Sequence, residues 1–180
     1  EYKEKYPGLA EEFESWMSLD LPMDYLESEE FWGFEKDLST REASGIVINR
    51  IAEVLPNLIG GSADLAPSNK TYMKNREDFS PKNYNGSNIR FGVREHGMGG
   101  ILNGMYLHGG LRPYGGTFFV FSDYMKPSMR LASLMNLPIA YVLTHDSIGV
   151  GEDGPTHQPI EQLAMFRSIP NFVIFRPCDA

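Results

Sequence analysis

The stretch Pro138-Ile139-Ala140-Tyr141-Val142-Leu143-Thr144-His145-Asp146 is an apolar run that ends in three polar residues. A strand without polar alternation is buried on both faces, as in parallel sheets that helices cover from each side. The apolar run at 172–175 has the same character. We therefore predict an α/β fold with a mostly parallel sheet and helices on both faces.

Helix and strand signals alternate along the chain before and after the 138–146 run. Ser39-Thr40-Arg41-Glu42 has the spacing of a capping box, which predicts that a helix begins there. Apolar residues then recur every three to four positions and predict the buried face of that helix. These residues are Ala43, Val47, Ile51 and Val54 or Leu55. The other predicted elements are strands beginning at Leu58 and Ile89, a glycine-rich helix from Glu95, an aromatic helix over about 119–135, a helix over about 160–168 and a strand at 172–175.

Composition limits both the size of the fold and the class of partner. The 180 residues suffice for about one domain, with 16 basic and 24 acidic side chains and a net charge of −8. This balance argues against a broad nucleic-acid surface, although a local basic pocket for a phosphate remains compatible with it. A single cysteine, Cys178, cannot form a disulfide framework, so we expect a reducing, cytoplasmic compartment.

The first 38 residues differ from the remainder of the chain. They contain 12 of the 24 acidic residues and only weak helical periodicity, which is typical of a solvated linker with a short helix. We expect a linker over 1–38, a single domain over 39–180, and a longer parent protein of which this chain is a piece.

Glu95 is the first residue with chemical interest, because it lies where a predicted strand meets a predicted helix. The positive end of the helix dipole would hold its carboxylate ionised. The simpler interpretation is a first-turn glutamate that pairs with Arg94 or Arg90.

An aromatic group follows Gly115-Gly116 at the same predicted edge of the sheet. Phe118, Phe121 and Tyr124 are spaced three apart and share a helical face. Such a stripe is usually core, but its position beyond a strand end also fits a slot for a flat heterocycle.

The segment 144–159 combines two histidines and several carboxylates with glycine and proline. A divalent metal site is one interpretation, but no zinc-binding spacing is present. The other is hydrogen bonding or proton transfer by His145 and His157 near neutral pH. The sequence contains no Gly-x-Ser-x-Gly, phosphate-binding Gly-x4-Gly-Lys or dinucleotide-binding glycine motif.

Taken together, four segments resemble the pyrimidine-binding domain of transketolases, and they stand in the order found in that family. They are Gly60-Gly61-Ser62-Ala63-Asp64-Leu65, Arg94-Glu95-His96-Gly97-Met98, Gly115-Gly116-Thr117-Phe118, and the string from His145 to Pro159. The last is the most specific, because other thiamine diphosphate enzymes share the glutamate and the fold but not this string. The resemblance covers roughly residues 39–180.

The resemblance implies a two-carbon ketol transfer from a ketose phosphate to an aldose phosphate, within the pentose phosphate pathway. It implies that Glu95 contacts the aminopyrimidine of thiamine diphosphate and shares a proton with it, and that His157 is a second catalytic residue. The implied cofactor contacts are Glu95, Phe121, Phe118, Tyr124 and Asp64. The implied substrate contacts are Arg41, Ser68 and His145 at the phosphate, with Asp153 and His157 at the hydroxyls of the donor ketose.

The resemblance also implies parts that this sequence lacks. In the family, the diphosphate and its Mg²⁺ or Ca²⁺ are held by a separate domain through a Gly-Asp-Gly motif, which is absent here. The pocket of the family forms between two subunits of a homodimer. We therefore expect no metal ligand in this chain, no cofactor bound to it alone and no activity of its own. The alternative is the equivalent domain of a deoxyxylulose phosphate synthase or an oxo-acid dehydrogenase. A third possibility is a stand-alone module that binds a partner through its aromatic face.

Overall fold

A computed structural model describes residues 1–21 and 27–180; residues 22–26, within the predicted linker, lie outside the described part. The helices are α1 (Tyr2–Lys5), α2 (Pro7–Ser18), α3 (Glu29–Trp32), α4 (Thr40–Val54), α5 (Ala66–Asn69), α6 (Glu95–His108), α7 (Lys126–Leu134) and α8 (Gln162–Arg167). The strands are β1 (Leu58–Ser62), β2 (Asn88–Arg90), β3 (Arg112–Phe118) and β4 (Ala140–Thr144). 3₁₀ helices span Phe119–Tyr124 and Gly151–Asp153.

The four strands form one sheet in the order β2-β1-β3-β4, and every pairing between them is parallel. β3 is central and its successive residues face opposite sides of the sheet. Tyr114 packs with Ile48 and Ala52 of α4 on one side. On the other side Gly115 lies directly beneath α6, where a Cβ atom would be 2.5 Å from Leu102 Cδ1. The predicted parallel sheet with helices on both faces is therefore confirmed.

The larger core lies on the α6 side of the sheet. Met98 and Leu102 of α6 are fully buried there, together with Met125 and Met129 at the start of α7. Phe166 of α8 closes the cluster and stacks on Phe119, with ring centroids 6.1 Å apart. This core attaches the segment after β3 to the sheet and so fixes the aromatic residues that follow Gly116.

The helix predicted to begin at Ser39 does begin there, but its buried face differs from the predicted one. Ser39 Oγ accepts a hydrogen bond from the Glu42 amide at 3.3 Å, as a capping box requires. The buried residues of α4 are Ala43, Gly45, Ile48 and Ala52. Of the predicted face, Ala43 and Leu55 are buried, but Val47 and Ile51 are only partly buried and Val54 is exposed. Gly45 explains the rotation, because a Cβ there would lie 2.8 Å from Lys70 Cβ and the helix is turned to bring this glycine against its neighbour.

One of the glycines in α6 allows a close approach to a neighbouring helix. A Cβ at Gly99 would lie 2.6 Å from Ser128 Cβ on α7. Gly100 and Gly104 face open space, with no atom within 4 Å of the Cβ position. The α6–α7 contact therefore depends on Gly99, and none of the described residues covers α6 at Gly100 and Gly104.

The predicted strand at 172–175 is wrong. The segment is extended, with Phe172 and Ile174 packed on the core, but it forms no ladder with the sheet. Phe172 stacks on Tyr141 and Phe166, and a cavity of about 450 Å³ lies between this segment and β4. The segment is therefore held against the domain by side-chain contacts and not by strand pairing.

The N-terminal segment is helical but barely attached to the domain. Of the described residues in α1 and α2, Ala10 alone is buried. Arg112 donates a hydrogen bond to the Leu19 carbonyl, which ties the end of α2 to β3. In residues 1–21 and 27–180, no helix is long and apolar enough to cross a membrane.

Candidate active site

The predicted site residues follow the carboxyl ends of the four strands. Asp64 lies two residues after β1, Glu95 five residues after β2, and His145 directly after β4, while Phe118 is the last residue of β3. Phe118 is in register with Thr144, the last residue of β4. Because all four strands are parallel, these ends lie at one edge, where open α/β sheets bind their ligands.

Two of these residues have a left-handed backbone. Asp64 has φ +68° and His145 has φ +55°. A non-glycine residue in this region is uncommon and is often found where a fold holds a side chain for function. Both strands thus end in a sharp turn at a predicted site residue.

The aromatic residues and the two histidines form one cluster. The rings of Phe118 and Phe121 are nearly parallel, with centroids 5.7 Å apart. His145 stacks on Phe118 at 3.7 Å, and His157 lies edge-on to Phe121 at 5.2 Å. Tyr124 lies 6.4 Å from Phe121 and is 66% exposed, at the rim of the cluster. The structure therefore joins two groups that the sequence places about 30 residues apart.

His145 also joins the two residues assigned to a phosphate. Arg41 Nη1 lies 3.3 Å from His145 Nε2 and donates to the Ser68 carbonyl, also at 3.3 Å. Burial and the Arg41 guanidinium lower the pKa of His145, with a smaller lowering by His157, while Asp153 and Asp146 act in the opposite direction. His145 is therefore neutral at pH 7, and Arg41 supplies the positive charge at this end of the site.

Glu95 does not have the ion pair that the simpler interpretation assigned to it. Arg90 pairs with Asp78 at 3.1 Å, and Arg94 donates to the Phe91 carbonyl at 2.9 Å. Within the described part of the chain, no group donates a hydrogen bond to the half-buried carboxylate of Glu95. It stands at the start of α6, where the helix dipole favours an anion, and it is free to bind a ligand.

A hydrogen bond between helices holds the first turn of α6 in place beside Glu95. The buried Ser128 Oγ on α7 donates to the His96 carbonyl at 3.1 Å and also lies 3.0 Å from His96 Nδ1. The backbone that carries Glu95 is thereby fixed while its carboxylate stays unpartnered.

The loop that contains Asp153 and His157 is more exposed than the aromatic cluster. Asp153 ends the second 3₁₀ helix, and His157 Nδ1 lies 2.9 Å from Thr156 Oγ1. Among residues 1–21 and 27–180, no group of three or more His, Cys, Asp or Glu side chains is arranged to hold a metal ion. Arg176, beyond this loop, pairs with Asp146 at 2.7 Å.

Sequence reasoning missed a buried polar row beneath His145. Thr144 Oγ1 lies 2.8 Å from His145 Nδ1 and donates to Asn69 Oδ1. Asn69 in turn donates to Ser62 Oγ at 3.1 Å, and Ser62 Oγ lies 2.7 Å from Thr71 Oγ1. The only sequence signal was the position of Asn69 beside Ser68.

The family model "Transketolase, pyrimidine binding domain" matches residues 36–180. The chain belongs to this family. A curated transketolase of Bacillus subtilis is 56% identical over 178 residues, which cover 99% of this chain and 27% of the relative. One from Aquifex aeolicus is 53% identical over 180 residues, or 26% of its length. The chain thus spans about a quarter of the transketolases it matches.

Solved transketolases have the same fold as this chain. The crystal structure from Campylobacter jejuni superimposes with a TM-score of 0.86 at 46% identity, covering 96% of this chain and 26% of that one. The Pichia stipitis transketolase, solved in complex with sedoheptulose-7-phosphate, gives the same TM-score and identity over 94% of this chain and 26% of that one. The resemblance inferred from the four motifs is therefore confirmed, and transketolase is favoured over the other thiamine diphosphate enzymes.

Proposed function

We propose that this chain forms the pyrimidine side of the cofactor pocket in a transketolase. The parent enzyme transfers a two-carbon ketol unit from a ketose phosphate to an aldose phosphate. The observation that carries the proposal is the unpartnered carboxylate of Glu95, at the edge of the sheet where Phe118 and Phe121 also lie. Membership of the pyrimidine-binding family and the transketolase relatives support it.

The residues present fit an aminopyrimidine. Glu95 offers a free acceptor at a helix start, and Phe121 offers a half-buried ring face, with Phe118 stacked on it and Tyr124 at the rim. When bound, thiamine diphosphate supplies the carbon nucleophile and the electron sink of the transfer. Glu95 would hold a proton at the ring nitrogen facing it, and the phenylalanines would exclude water from that hydrogen bond. Asp64 would lie toward the other ring and the substrate.

The sugar phosphate would bind at the opposite end of the same edge. Arg41 supplies a guanidinium, and Ser68 and His145 supply hydrogen-bonding groups, so an acidic chain can hold a phosphate locally. Asp153 and His157, on the loop beside the aromatic cluster, would orient the hydroxyls and the carbonyl of the donor ketose, with His157 able to move a proton.

The remaining assignments concern the parent protein. We propose a domain over 39–180 with a linker before it, which the start of the family match at residue 36 supports. We also propose a cytoplasmic homodimer whose pocket is completed by a partner subunit. Another domain would bind the diphosphate and its Mg²⁺ or Ca²⁺. This chain alone would then bind the cofactor weakly or not at all and would be inactive.

Glu95→Gln in the full-length protein tests the proposed function. The amide keeps the shape of the side chain but cannot hold a proton at the pyrimidine, so we expect kcat to fall by about 10²- to 10⁴-fold. Thermal unfolding should be unchanged, because the carboxylate has no partner among the described residues. Glu53→Gln, at an exposed position on α4, is the matched control and should retain wild-type activity. Full activity of Glu95→Gln would remove Glu95 from the mechanism.

A further inference from the structure

In the buried polar row beneath His145, each hydrogen bond has one possible direction of donation. Arg41 is always protonated and only donates, so His145 Nε2 must accept from it. A neutral imidazole has one N–H, which therefore sits on Nδ1 and points to Thr144 Oγ1 at 2.8 Å. Because Thr144 accepts from His145, its own hydroxyl proton goes to Asn69 Oδ1.

The next hydrogen bonds of the row, deeper in the domain, donate in the same sense. With Oδ1 of Asn69 turned to Thr144, its amide nitrogen donates to Ser62 Oγ at 3.1 Å. Ser62 then donates to Thr71 Oγ1 at 2.7 Å. Asn69 and Thr71 are fully buried and Ser62 is 2% exposed, so no water competes for these hydrogen bonds. Asn69 therefore accepts from Thr144 through its side-chain oxygen and donates to Ser62 through its side-chain nitrogen.

We infer that Asn69 is a positioning residue which, through Thr144, keeps the proton of His145 on Nδ1, so that Nε2 accepts from Arg41 in the free site and is the nitrogen that gains a proton and donates when a substrate phosphate binds. In the other tautomer, an N–H of His145 would face an N–H of Arg41 with no acceptor between them. The inference rests on the proposed function only for the identity of the ligand as a sugar phosphate.

The same short helix positions the other phosphate residue. Ser68 and Asn69 are consecutive in α5, and the Ser68 carbonyl accepts from Arg41 while the Asn69 side chain accepts from Thr144. Lys70, immediately after them, has φ +58° and turns the chain back toward Thr71. The single turn of α5 therefore fixes the position of the Arg41 guanidinium with respect to the His145 ring.

A phosphate dianion would use this arrangement by changing the protonation of the ring. When Arg41 turns to a phosphate oxygen, Nε2 loses its donor and can take up a proton from solvent. The Nε2–H that results stays on the ring and donates a hydrogen bond to the phosphate. The charged or titratable groups that act on His145 are Arg41 from α4, with His157, Asp153 and Asp146 from the loop after β4. Nδ1 stays bonded to Thr144 throughout.

The test compares hydroxyl-deletion variants in the full-length protein labelled with ¹⁵N-histidine. His145 is assigned by the signal lost in His145→Gln, and ring nitrogen shifts then report its tautomer without any substrate. We expect the Nδ1–H tautomer of His145 to be no longer the major form in Thr144→Val and Asn69→Ala. In Thr144→Ser, which keeps the hydroxyl, it should again be the major form. Thr117→Val is the matched control, since Thr117 is fully buried one strand away and its hydroxyl has no hydrogen-bond partner among the described residues.

Kinetics provide the second readout. KM for a phosphorylated aldose should rise about tenfold in Thr144→Val, the size of one hydrogen bond to a charged group, with kcat little changed. KM for an unphosphorylated aldehyde acceptor should stay at its wild-type value, which a general loss of structure would not allow. Wild-type tautomer signals in both Thr144→Val and Asn69→Ala would overturn the inference.

The two readouts separate this inference from the proposed function. If the protein used no sugar phosphate at all, the proposed function would fail, yet the nitrogen shifts would still show whether Asn69 and Thr144 set the tautomer. If Asn69→Ala does not fold, the Thr144→Val and Thr144→Ser pair decides, because valine has nearly the shape of threonine.

Discussion

At the scale of single residues, His145 links the chemistry of the site to the stability of the fold. Burial and Arg41 lower its pKa below the ordinary value of 6.5, so the folded protein binds this proton less readily than the unfolded chain does. The contribution of His145 to the free energy of unfolding therefore begins to fall as the pH drops below 6.5, where the unfolded chain takes up the proton. The fall is complete once the pH lies below the lowered pKa of the folded protein.

This sign gives a prediction for His145→Gln in the full-length protein. Between about pH 8 and pH 5, the wild-type midpoint of thermal unfolding should fall more steeply than that of the variant. The steeper fall should begin near pH 6.5. His108→Gln, at an exposed histidine, is the control and should follow the wild-type slope. Parallel curves for wild type and His145→Gln would contradict the assigned shift.

The residues of the site were only partly predictable. Arg41, Ser68 and His145 were assigned to one ligand by family resemblance, and the structure brings them within hydrogen-bonding distance. Asn69 and Thr144 were missed, because a buried hydrogen bond depends on the exact placement of two side chains, and no spacing in the sequence encodes that. Likewise, nothing in the sequence showed that the two arginines beside Glu95 would be occupied elsewhere.

At the scale of elements, α6 presents two adjacent glycines in opposite environments. Gly99 faces Ser128 so closely that a methyl group must displace α7, whereas Gly100 faces open space. Gly99→Ala should therefore destabilise the 180-residue chain by about 1–3 kcal/mol through overpacking. Gly100→Ala should stabilise it by about 0.5–1 kcal/mol, because alanine loses less backbone entropy on forming a helix.

Denaturant unfolding of the two single variants checks this prediction, with each glycine serving as the control for the other. A stabilising Gly99→Ala, or a Gly100→Ala as damaging as Gly99→Ala, would show that the packing of α6 differs from the one described. The same Gly100→Ala change in the full-length protein would report whether another domain covers that side of the helix.

The elements themselves were predicted with uneven success for physical reasons. The capping box and the glycine-rich helix are local signals, and both helices begin where the sequence placed them. The buried face of α4 is set by the contact of Gly45 with Lys70, and the segment 172–175 is set by aromatic stacking on Tyr141 and Phe166. Both depend on tertiary neighbours, which periodicity within one element does not contain.

At the scale of the whole molecule, several apolar side chains are left exposed by the described residues. The exposed fraction is 75% at Val93, 50% at Ile101, 60% at Leu107 and 66% at Tyr124. Ile101 and Leu107 lie on α6, as do the open Gly100 and Gly104, and exposed apolar side chains of this kind favour association in water. We therefore expect the 180-residue chain to self-associate when it is produced alone.

Sedimentation velocity over a range of concentrations measures that association. The weight-average sedimentation coefficient should rise with concentration, and Ile101→Lys with Leu107→Lys should reduce the rise. Ile148→Lys, at an exposed apolar residue on the loop after β4, is the control and should leave it unchanged. A monodisperse monomer at high concentration would contradict the expectation.

The strand order also bears on how the chain folds during synthesis. β1 pairs with β2 and β3, and both of these neighbours are translated after it, separated from it by long crossover segments. No two consecutive strands form a hairpin, so the sheet has no local pairing with which to begin. On the ribosome, α4 and β1 must therefore wait with their apolar sides uncovered until β3 has emerged. During that interval the uncovered apolar side chains expose the nascent chain to aggregation. The chain before Asp64 also lacks its final hydrogen bond until β3 arrives, because the Ala63 amide donates to the Gly116 carbonyl at 3.0 Å.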